Sequence, residues 1–246
     1  MILLVDIGNS RLKWTQAEAG VLKPTMFMDY RQADFPERLR EFWLSIPAPK
    51  QVAMASVSEN ALTVLLGDMA RGLWPGVELI MPQSSQTAFN VKNAYAEPEK
   101  LGVDRWLALQ AAHRYYPGDT CVVDCGTAIT IDFIESDGRH LGGLISPGLL
   151  LMKKSLANNT AALPFSEDQA ETSLAVVTAA AINNGTLLAA AGLIEAALAR
   201  QPKAYQLVLS GGDGEMLARH LAVPSIVDGD LVFKGLLNYC QNDKAL

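Results

Sequence analysis

Hydrophobic and polar residues follow one another along this chain in blocks that alternate between the period of a strand and that of a helix. Strands are predicted at 2–5, 12–16, 51–57, 77–81, 122–125, 128–132, 139–146 and 205–210. Helices are predicted at 35–46, 60–73, 107–116, 148–158, 172–199 with a break near 183–185, and 230–241. The segment 82–99 is predicted to be irregular. This alternation predicts a mainly parallel sheet with helices packed against it.

One strand–turn–strand unit occurs twice in the pattern. Asp6-Ile7-Gly8 ends the first strand, and Asp124-Cys125-Gly126 ends a strand in the second half of the chain. Each unit carries Asp and Gly two positions apart and leads into a second strand. Because repeats this far apart are usually whole domains, we predict a duplicated architecture with domains at 1–115 and 116–246.

Both turns carry the residue types of a phosphate and cation site. A glycine lets the backbone approach an oxyanion, Thr127 can donate a hydrogen bond to it, and Asp124 can hold a cation. Near the first turn, Asn9 and Ser10 add donors, the glycine exposes backbone N–H groups, and Lys13 could reach a phosphate. A plain β-hairpin explains either turn taken alone, because Asp-x-Gly is common turn chemistry. As a facing pair, the turns favour phosphoryl transfer.

A second candidate lies before the helix predicted at 107–116. Asp104 could be a helix cap or part of a local ion pair. It could equally be a general base that deprotonates an attacking alcohol, with Arg105 binding an anionic part of the acceptor through two parallel hydrogen bonds. Gly211-Gly212 closes a later strand and fits either a simple turn or a surface for a flat nucleoside.

Composition narrows the class of protein. The chain has 246 residues, a net charge of −6 and a pI near 5.1, which argues against a general nucleic-acid binder. The three cysteines, Cys121, Cys125 and Cys240, have no CxxC spacing, so neither a disulfide framework nor zinc is expected. His113, His140 and His220 are expected at the surface or as caps.

The sequence lacks several common signals. No apolar run reaches the length of a membrane span, and the N-terminal run stops at Asp6, too early for a signal peptide. We therefore expect a cytoplasmic protein that binds neither membrane nor nucleic acid. The absence of G-x-x-x-x-G-K-[ST] and of G-x-G-x-x-G excludes a P-loop kinase and removes the usual basis for a dinucleotide site.

Four ordered motifs resemble a known family. They are Asp6-Ile7-Gly8-Asn9-Ser10-Arg11-Leu12-Lys13, Gly102-Val103-Asp104-Arg105, Asp124-Cys125-Gly126-Thr127-Ala128-Ile129-Thr130 and Gly142-Gly143-Leu144-Ile145-Ser146-Pro147-Gly148. In this order they resemble the type III pantothenate kinases of the acetate/sugar kinase–Hsc70–actin superfamily. The resemblance covers nearly the whole chain. It implies an α/β fold of duplicated ribonuclease-H-like (actin-like ATPase) domains with a cleft between them.

The resemblance also implies ATP-dependent phosphorylation of pantothenate to 4′-phosphopantothenate, the first step towards coenzyme A. It implies that the first motif binds the ATP phosphates, through Asp6, Ile7, Gly8, Asn9, Ser10, Arg11, Leu12 and Lys13, and that Thr127 is a further ATP contact. It implies that pantothenate is bound by Tyr95, Gly102, Val103, Asp104, Arg105 and Thr178. Asp104 is then the proton acceptor and Asp124 the ligand of a monovalent cation. Thr172 lies near Thr178, and Asn183-Asn184 before Gly185 departs from the family pattern.

Partners and alternatives follow from the same resemblance. It implies a homodimer whose active site is completed across the interface, and a need for Mg²⁺ and for K⁺ or NH₄⁺. Another small-molecule kinase of the superfamily, such as a sugar kinase, is one alternative, but a neutral sugar would not need Arg105. A non-catalytic transcription accessory factor is another, although such a protein would be free to lose Asp6, Asp104 and Asp124.

Overall fold

Two sheets organise the part of the chain that the computed structural model describes, residues 1–8, 11–56, 61–159 and 171–241. The strands are β1 (Ile2–Ile7), β2 (Leu12–Glu18), β3 (Val21–Leu22), β4 (Met26–Met28), β5 (Gln51–Ser56), β6 (Glu78–Ile80), β7 (Thr87–Ala88), β8 (Val91–Lys92), β9 (Thr120–Cys125), β10 (Ala128–Ile134), β11 (His140–Pro147), β12 (Gln206–Ser210) and β13 (Ser225–Val227). The helices are α1 (Phe35–Ser45), α2 (Ala61–Leu73), α3 (Val103–Tyr115), α4 (Leu149–Asn159), α5 (Thr178–Ala199), α6 (Gly214–Ala218) and α7 (Leu231–Cys240).

The two sheets repeat one strand arrangement, which confirms the predicted duplication and the α/β class. The first has the order β3-β2-β1-β5-β6 with β4 also paired to β2, and the second has the order β11-β10-β9-β12-β13. In each, a hairpin (β1–β2 or β9–β10) is antiparallel and the next two strands are parallel. Both sheets are mixed, so the prediction of a mainly parallel sheet is wrong. The two predicted strand–turn–strand units are hairpins, whose strands run antiparallel because a short turn joins them.

The chain divides into two compact units, each with its own sheet. The first comprises Met1–Ala111 with the C-terminal stretch from Leu231, and the second comprises Ala112–Asp230. The predicted boundary after residue 115 differs from this division chiefly at the C-terminus. Helix α7 belongs to the first unit because Gly235 allows it to lie against α3: a Cβ there would be 2.4 Å from the Leu107 carbonyl oxygen.

Helices cover both faces of the first sheet. Along β1, Leu3, Val5 and Ile7 pack into one core with residues of α1 and α2. Leu4 points to the opposite face and packs with residues of α3 and α7. Since side chains alternate along a strand, Asp6 lies on the same face as Leu4, the one that α3 and α7 cover.

In the second unit, β9 presents Cys121, Val123 and Cys125 to a core that includes residues of α5. By the same alternation, Asp124 lies on the other face. By length and composition, α5 is apolar enough to cross a membrane, as the core helix of a soluble protein also can be. Its residues Leu187 and Ile194 are fully buried in this core of the second unit, which accounts for their apolar character.

Four local predictions need correction. Helix α5 runs without the predicted break. The Asn184 side chain accepts the Glu171 N–H at 3.0 Å and donates to the Ser173 carbonyl at 2.9 Å, while its main chain stays helical. The segment predicted as irregular contains the β7–β8 hairpin. Helix α3 begins at Val103, earlier than predicted. His140 is not at the surface but buried, with its Nε2 2.9 Å from an Asp132 carboxylate oxygen.

Candidate active site

The first turn connects β1 to β2 and brings Asp6 opposite Lys13. The two residues are cross-strand partners, so their side chains leave the same face of the sheet. The N–H of Gly8 donates to the Arg11 carbonyl oxygen at 3.2 Å. The glycine N–H expected to meet a phosphate is therefore used inside the turn. Asn9 and Ser10 lie outside the described residues.

The remaining residues of the first motif divide by exposure. Ile7 and Leu12 are 3% and 0% exposed in the first core, so their side chains are not accessible to a nucleotide. The Arg11 guanidinium lies 5.3 Å from the centre of the Phe27 ring, beside a surface cavity of about 290 Å³ that Arg38 also lines. Among the described residues of this motif, Asp6 and Lys13 are thus the pair best placed to bind a cation and a phosphate.

Helix α3 begins at the Gly-x-Asp-Arg motif. The Gly102 carbonyl accepts the Trp106 N–H at 3.0 Å, which places Asp104 and Arg105 in the first helical turn. Asp104 Oδ1 accepts the Arg105 N–H at 2.8 Å. The N–H groups of a first turn have no helical partner and favour a negative charge. Asp104 therefore lies inside the first turn, where the helix favours its negative charge, and is not the N-cap residue that precedes the helix.

Gly102 is needed for this position of the carboxylate. A Cβ on Gly102 would lie 2.5 Å from Asp104 Oδ1, closer than any normal contact. Val103, by contrast, is buried with Leu107 and Phe233, so its side chain belongs to the core. Any substrate contact at Val103 would have to come from its main chain.

Tyr95 and Arg105, both predicted as substrate contacts, are brought together. Arg105 Nη1 donates to the Tyr95 hydroxyl at 2.9 Å, and the guanidinium carbon lies 5.6 Å from the centre of the tyrosine ring. Arg105 is 6% exposed. A guanidinium held on a ring face is oriented in advance for two parallel bonds to a carboxylate. Tyr95, Gly102, Asp104 and Arg105 therefore form one cluster in the first unit.

The second turn closes more tightly than the first. The Gly126 N–H donates to the Ala128 carbonyl at 3.0 Å, and Thr127 is exposed at the tip. The Thr127 carbonyl accepts the N–H of Gly148, at the start of α4, at 2.9 Å. A Cβ on Gly148 would lie 2.1 Å from the Gly126 carbonyl oxygen and 2.7 Å from that of Thr127. Only glycine allows α4 to begin against this turn.

A second glycine meets the same turn from the end of β12. Gly211 has a φ of +85°, and its Cβ would lie 2.4 Å from the Cys125 carbonyl oxygen and 2.5 Å from Asp124 Oδ1. The Cys125 carbonyl also accepts the Asp213 N–H at 3.0 Å. The sequence left Gly211 as either a turn or a nucleoside surface, and it placed Gly148 at a helix start within the fourth motif without saying what it approaches. The glycine-rich spacing was the signal for both, but it does not identify what they approach.

Oxygen donors gather around Asp124. Asp124 and Asp213 both act on the buried Cys125 thiol, whose pKa is raised first by burial and then by these two carboxylates. Carboxylate and carbonyl oxygens suit a hard cation such as K⁺, so the donors at this turn fit the monovalent ion predicted there. Among the described residues, no three His, Cys, Asp or Glu side chains are grouped to hold a metal ion by themselves.

Thr178 and Thr172 both lie in the second unit and both are exposed. Thr178 is the first residue of α5, after Val177, and Thr172 precedes the helix. The cluster of Tyr95 and Arg105 belongs to the first unit. Their relation to the substrate stays a prediction.

The three cysteines should be unreactive in the folded protein. All are buried, and burial raises the pKa of Cys121 and of Cys240 to about 12 and raises that of Cys125 as well. Because the thiolate is the nucleophile, each should react on the order of 10³-fold more slowly at pH 8 than an unfolded thiol. Reaction with Ellman's reagent, followed with and without guanidinium chloride, measures this. Rapid release of one equivalent from the native protein would contradict it.

Comparisons with known proteins identify the family of the chain. The family model for type III pantothenate kinases matches residues 2–200. The type III pantothenate kinase of Burkholderia thailandensis is 36% identical over 252 residues, 95% of each chain. That of Nitrosococcus oceani is 37% identical over 247 residues, 96% of this chain and 92% of the relative.

Solved structures show the same fold at lower identity. A Campylobacter jejuni protein named as a Baf family transcriptional activator has a TM-score of 0.64 at 24% identity, over 99% of this chain and 100% of its own. A Sinorhizobium meliloti protein named as a 2-dehydro-3-deoxygalactonokinase has a TM-score of 0.62 at 17% identity, over 100% of this chain and 98% of its own. At these identities the likeness extends to the fold alone.

Proposed function

The chain belongs to the type III pantothenate kinase family, and from this premise we propose which of its residues carry out the reaction. The enzyme phosphorylates pantothenate with ATP, the step that leads towards coenzyme A. One observation supports the residue assignment most directly. The buried Arg105 guanidinium is held on Tyr95, and the Asp104 carboxylate accepts the main-chain N–H of the same arginine at 2.8 Å.

Asp104 is the general base. Its carboxylate accepts the proton of the pantothenate hydroxyl as the hydroxyl oxygen attacks the γ-phosphorus, the bond to the bridging oxygen breaks and ADP leaves. The first turn of α3 holds this carboxylate in place through the Arg105 N–H at 2.8 Å. Arg105 binds the carboxylate of pantothenate through two parallel hydrogen bonds, with Tyr95 fixing the plane of the guanidinium.

The two turns handle the phosphates of ATP. In the first unit, Lys13 supplies positive charge to the phosphates, and Asp6 directly opposite can hold Mg²⁺ directly or through water. Mg²⁺ bound there would neutralise charge on the transferred phosphoryl group. In the second unit, the exposed hydroxyl of Thr127 donates to ATP, and Asp124 is the ligand of K⁺ or NH₄⁺.

The enzyme is proposed to be a cytoplasmic homodimer. The second unit exposes several large apolar side chains, with Ile145 on β11 65% and Leu188 on α5 54% exposed. Further exposed members are Leu144, Leu150 and Leu151. Apolar surface of this kind is typical of a face covered by a second subunit. Thr178, at the exposed start of α5, would then reach pantothenate bound to the partner copy.

Neither alternative function gains support beyond the fold. The solved structures named as a 2-dehydro-3-deoxygalactonokinase and as a Baf family transcriptional activator are only 17% and 24% identical to this chain. A buried arginine held for a carboxylate favours pantothenate over a neutral sugar.

Purified protein should consume ATP only when pantothenate is present, and faster with K⁺ than without it. A coupled assay for ADP, with Mg²⁺ throughout and pantothenate and K⁺ each added or omitted, measures both dependences. The matched control replaces pantothenate with a neutral sugar and should give no turnover. Failure to see pantothenate-dependent ADP release with both cations present would refute the proposed function.

A further inference from the structure

The loop that carries Tyr95 is organised by one buried amide. Asn93, directly after β8, is 3% exposed. Its Nδ2 donates to the carbonyls of Ser85 at 3.3 Å and of Pro98 at 3.2 Å, and its Oδ1 accepts the Tyr95 N–H at 3.0 Å. Both amide hydrogens and the amide oxygen are thus engaged with main-chain groups of three separate stretches.

The main chain of Asn93 adds two bonds to the same network. Its N–H donates to the Gln86 carbonyl at 2.9 Å, and its carbonyl accepts Gln86 Nε2 at 3.1 Å. Asn93 therefore joins three parts of the loop: Ser85 and Gln86 before the β7–β8 hairpin, Tyr95, and Pro98. No other natural side chain offers two donors and one acceptor at this length.

We propose that Asn93 is a positioning residue for pantothenate. It fixes the main chain of Tyr95, Tyr95 holds the Arg105 guanidinium through the 2.9 Å bond and the ring contact, and Arg105 meets the substrate carboxylate. Asn93 itself does not touch the substrate. This inference rests on the proposed roles of Tyr95 and Arg105.

A displaced Tyr95 would remove the 2.9 Å bond and the ring contact that orient the Arg105 guanidinium, so the substrate would have to orient it on binding. This cost weakens the binding of pantothenate. It should not affect the binding of ATP, because the residues proposed to bind the nucleotide, Asp6, Lys13 and Thr127, belong to other turns. Substitution of a residue that only supported the fold would change the KM values for both substrates alike. The difference between the two KM values therefore separates positioning from general support.

Asn93→Asp removes both donors but keeps the acceptor for Tyr95, and Asn93→Ala removes all three groups. In the full-length enzyme, both variants should raise KM for pantothenate by about 10- to 100-fold, the usual cost of a misplaced binding group. KM for ATP should stay within about twofold. Lys92→Ala, an exposed change on the same strand, is the matched control and should leave both KM values unchanged.

One further single variant keeps the proposal falsifiable if the Asn93 variants fold poorly, and a double variant tests whether Asn93 acts through Tyr95 if they fold. Gln86→Ala removes one bond to the loop from an exposed side chain and should raise KM for pantothenate about 2- to 5-fold without changing KM for ATP. In a Tyr95→Ala background, Asn93→Asp should add little, because both act through one contact. Equal changes in the two KM values, or full additivity with Tyr95→Ala, would overturn it. Wild-type turnover is measured in parallel, so a failure of the proposed function itself would be seen separately.

Discussion

Replacing Asp104 with asparagine should lower kcat by about 10²–10⁴-fold, the usual contribution of a general base. Asparagine has the same shape, and its amide oxygen can still accept the Arg105 N–H that Asp104 accepts at 2.8 Å. It cannot take up the hydroxyl proton of pantothenate at neutral pH. The loss should therefore appear in turnover, and KM for ATP should change little. Steady-state kinetics with each substrate varied measures both constants.

The control for this variant is Asp68→Asn. Asp68 is exposed on α2 and forms a 3.2 Å surface ion pair with Arg71, a kind of pair that contributes little to stability. The control should therefore keep the wild-type kcat. A thermal melt of both variants tests whether the fold is retained. If Asp104→Asn turned over at nearly the wild-type rate, Asp104 would be only a negative charge that stabilises the start of α3.

The duplicated hairpins were predictable because their evidence is local. Leu3, Leu4 and Val5 are all fully buried, so a strand covered on both faces gives a continuous apolar run that stops at Asp6. The run before Asp124 follows the same rule. The β7–β8 hairpin gave no such signal, since its strands are two residues long. Its turn holds Phe89 and Asn90 at φ values of 50° and 62°, and a phenylalanine is rare in that conformation.

Tertiary contacts explain why other features escaped sequence reasoning. The helix period near Asp104 is hidden because Val103, Trp106 and Leu107 are buried on several sides, which leaves no polar face to mark the start of α3. The place of α7 in the first unit depends on Gly235 meeting Leu107, far away in the sequence. The residue types of the candidate site, its glycines included, were thus predictable from the sequence, but the main-chain atoms that those glycines approach were not.

Replacing Gly148 with alanine should therefore damage the second turn severely. The added Cβ would lie 2.1 Å from the Gly126 carbonyl oxygen, and main-chain atoms, unlike the end of a flexible side chain, cannot swing away. Either the turn or the start of α4 must shift, which breaks the 2.9 Å bond from the Gly148 N–H to the Thr127 carbonyl. We expect a loss of about 1–3 kcal/mol in the free energy of unfolding, as for other overpacked sites.

Because Thr127 is proposed to contact ATP, the same shift should also lower kcat/KM for ATP by about 10²-fold. Denaturant unfolding measures the stability and steady-state kinetics measures the ATP dependence. The matched control is Gly72→Ala on the exposed face of α2, where an added Cβ would have no neighbour within 4 Å. It makes the same chemical change but should keep wild-type kinetics and gain up to about 1 kcal/mol, since alanine favours a helix over glycine. Wild-type stability and ATP dependence in Gly148→Ala would show that the turn tolerates a larger residue, and the fit of α4 against it would then not matter for catalysis.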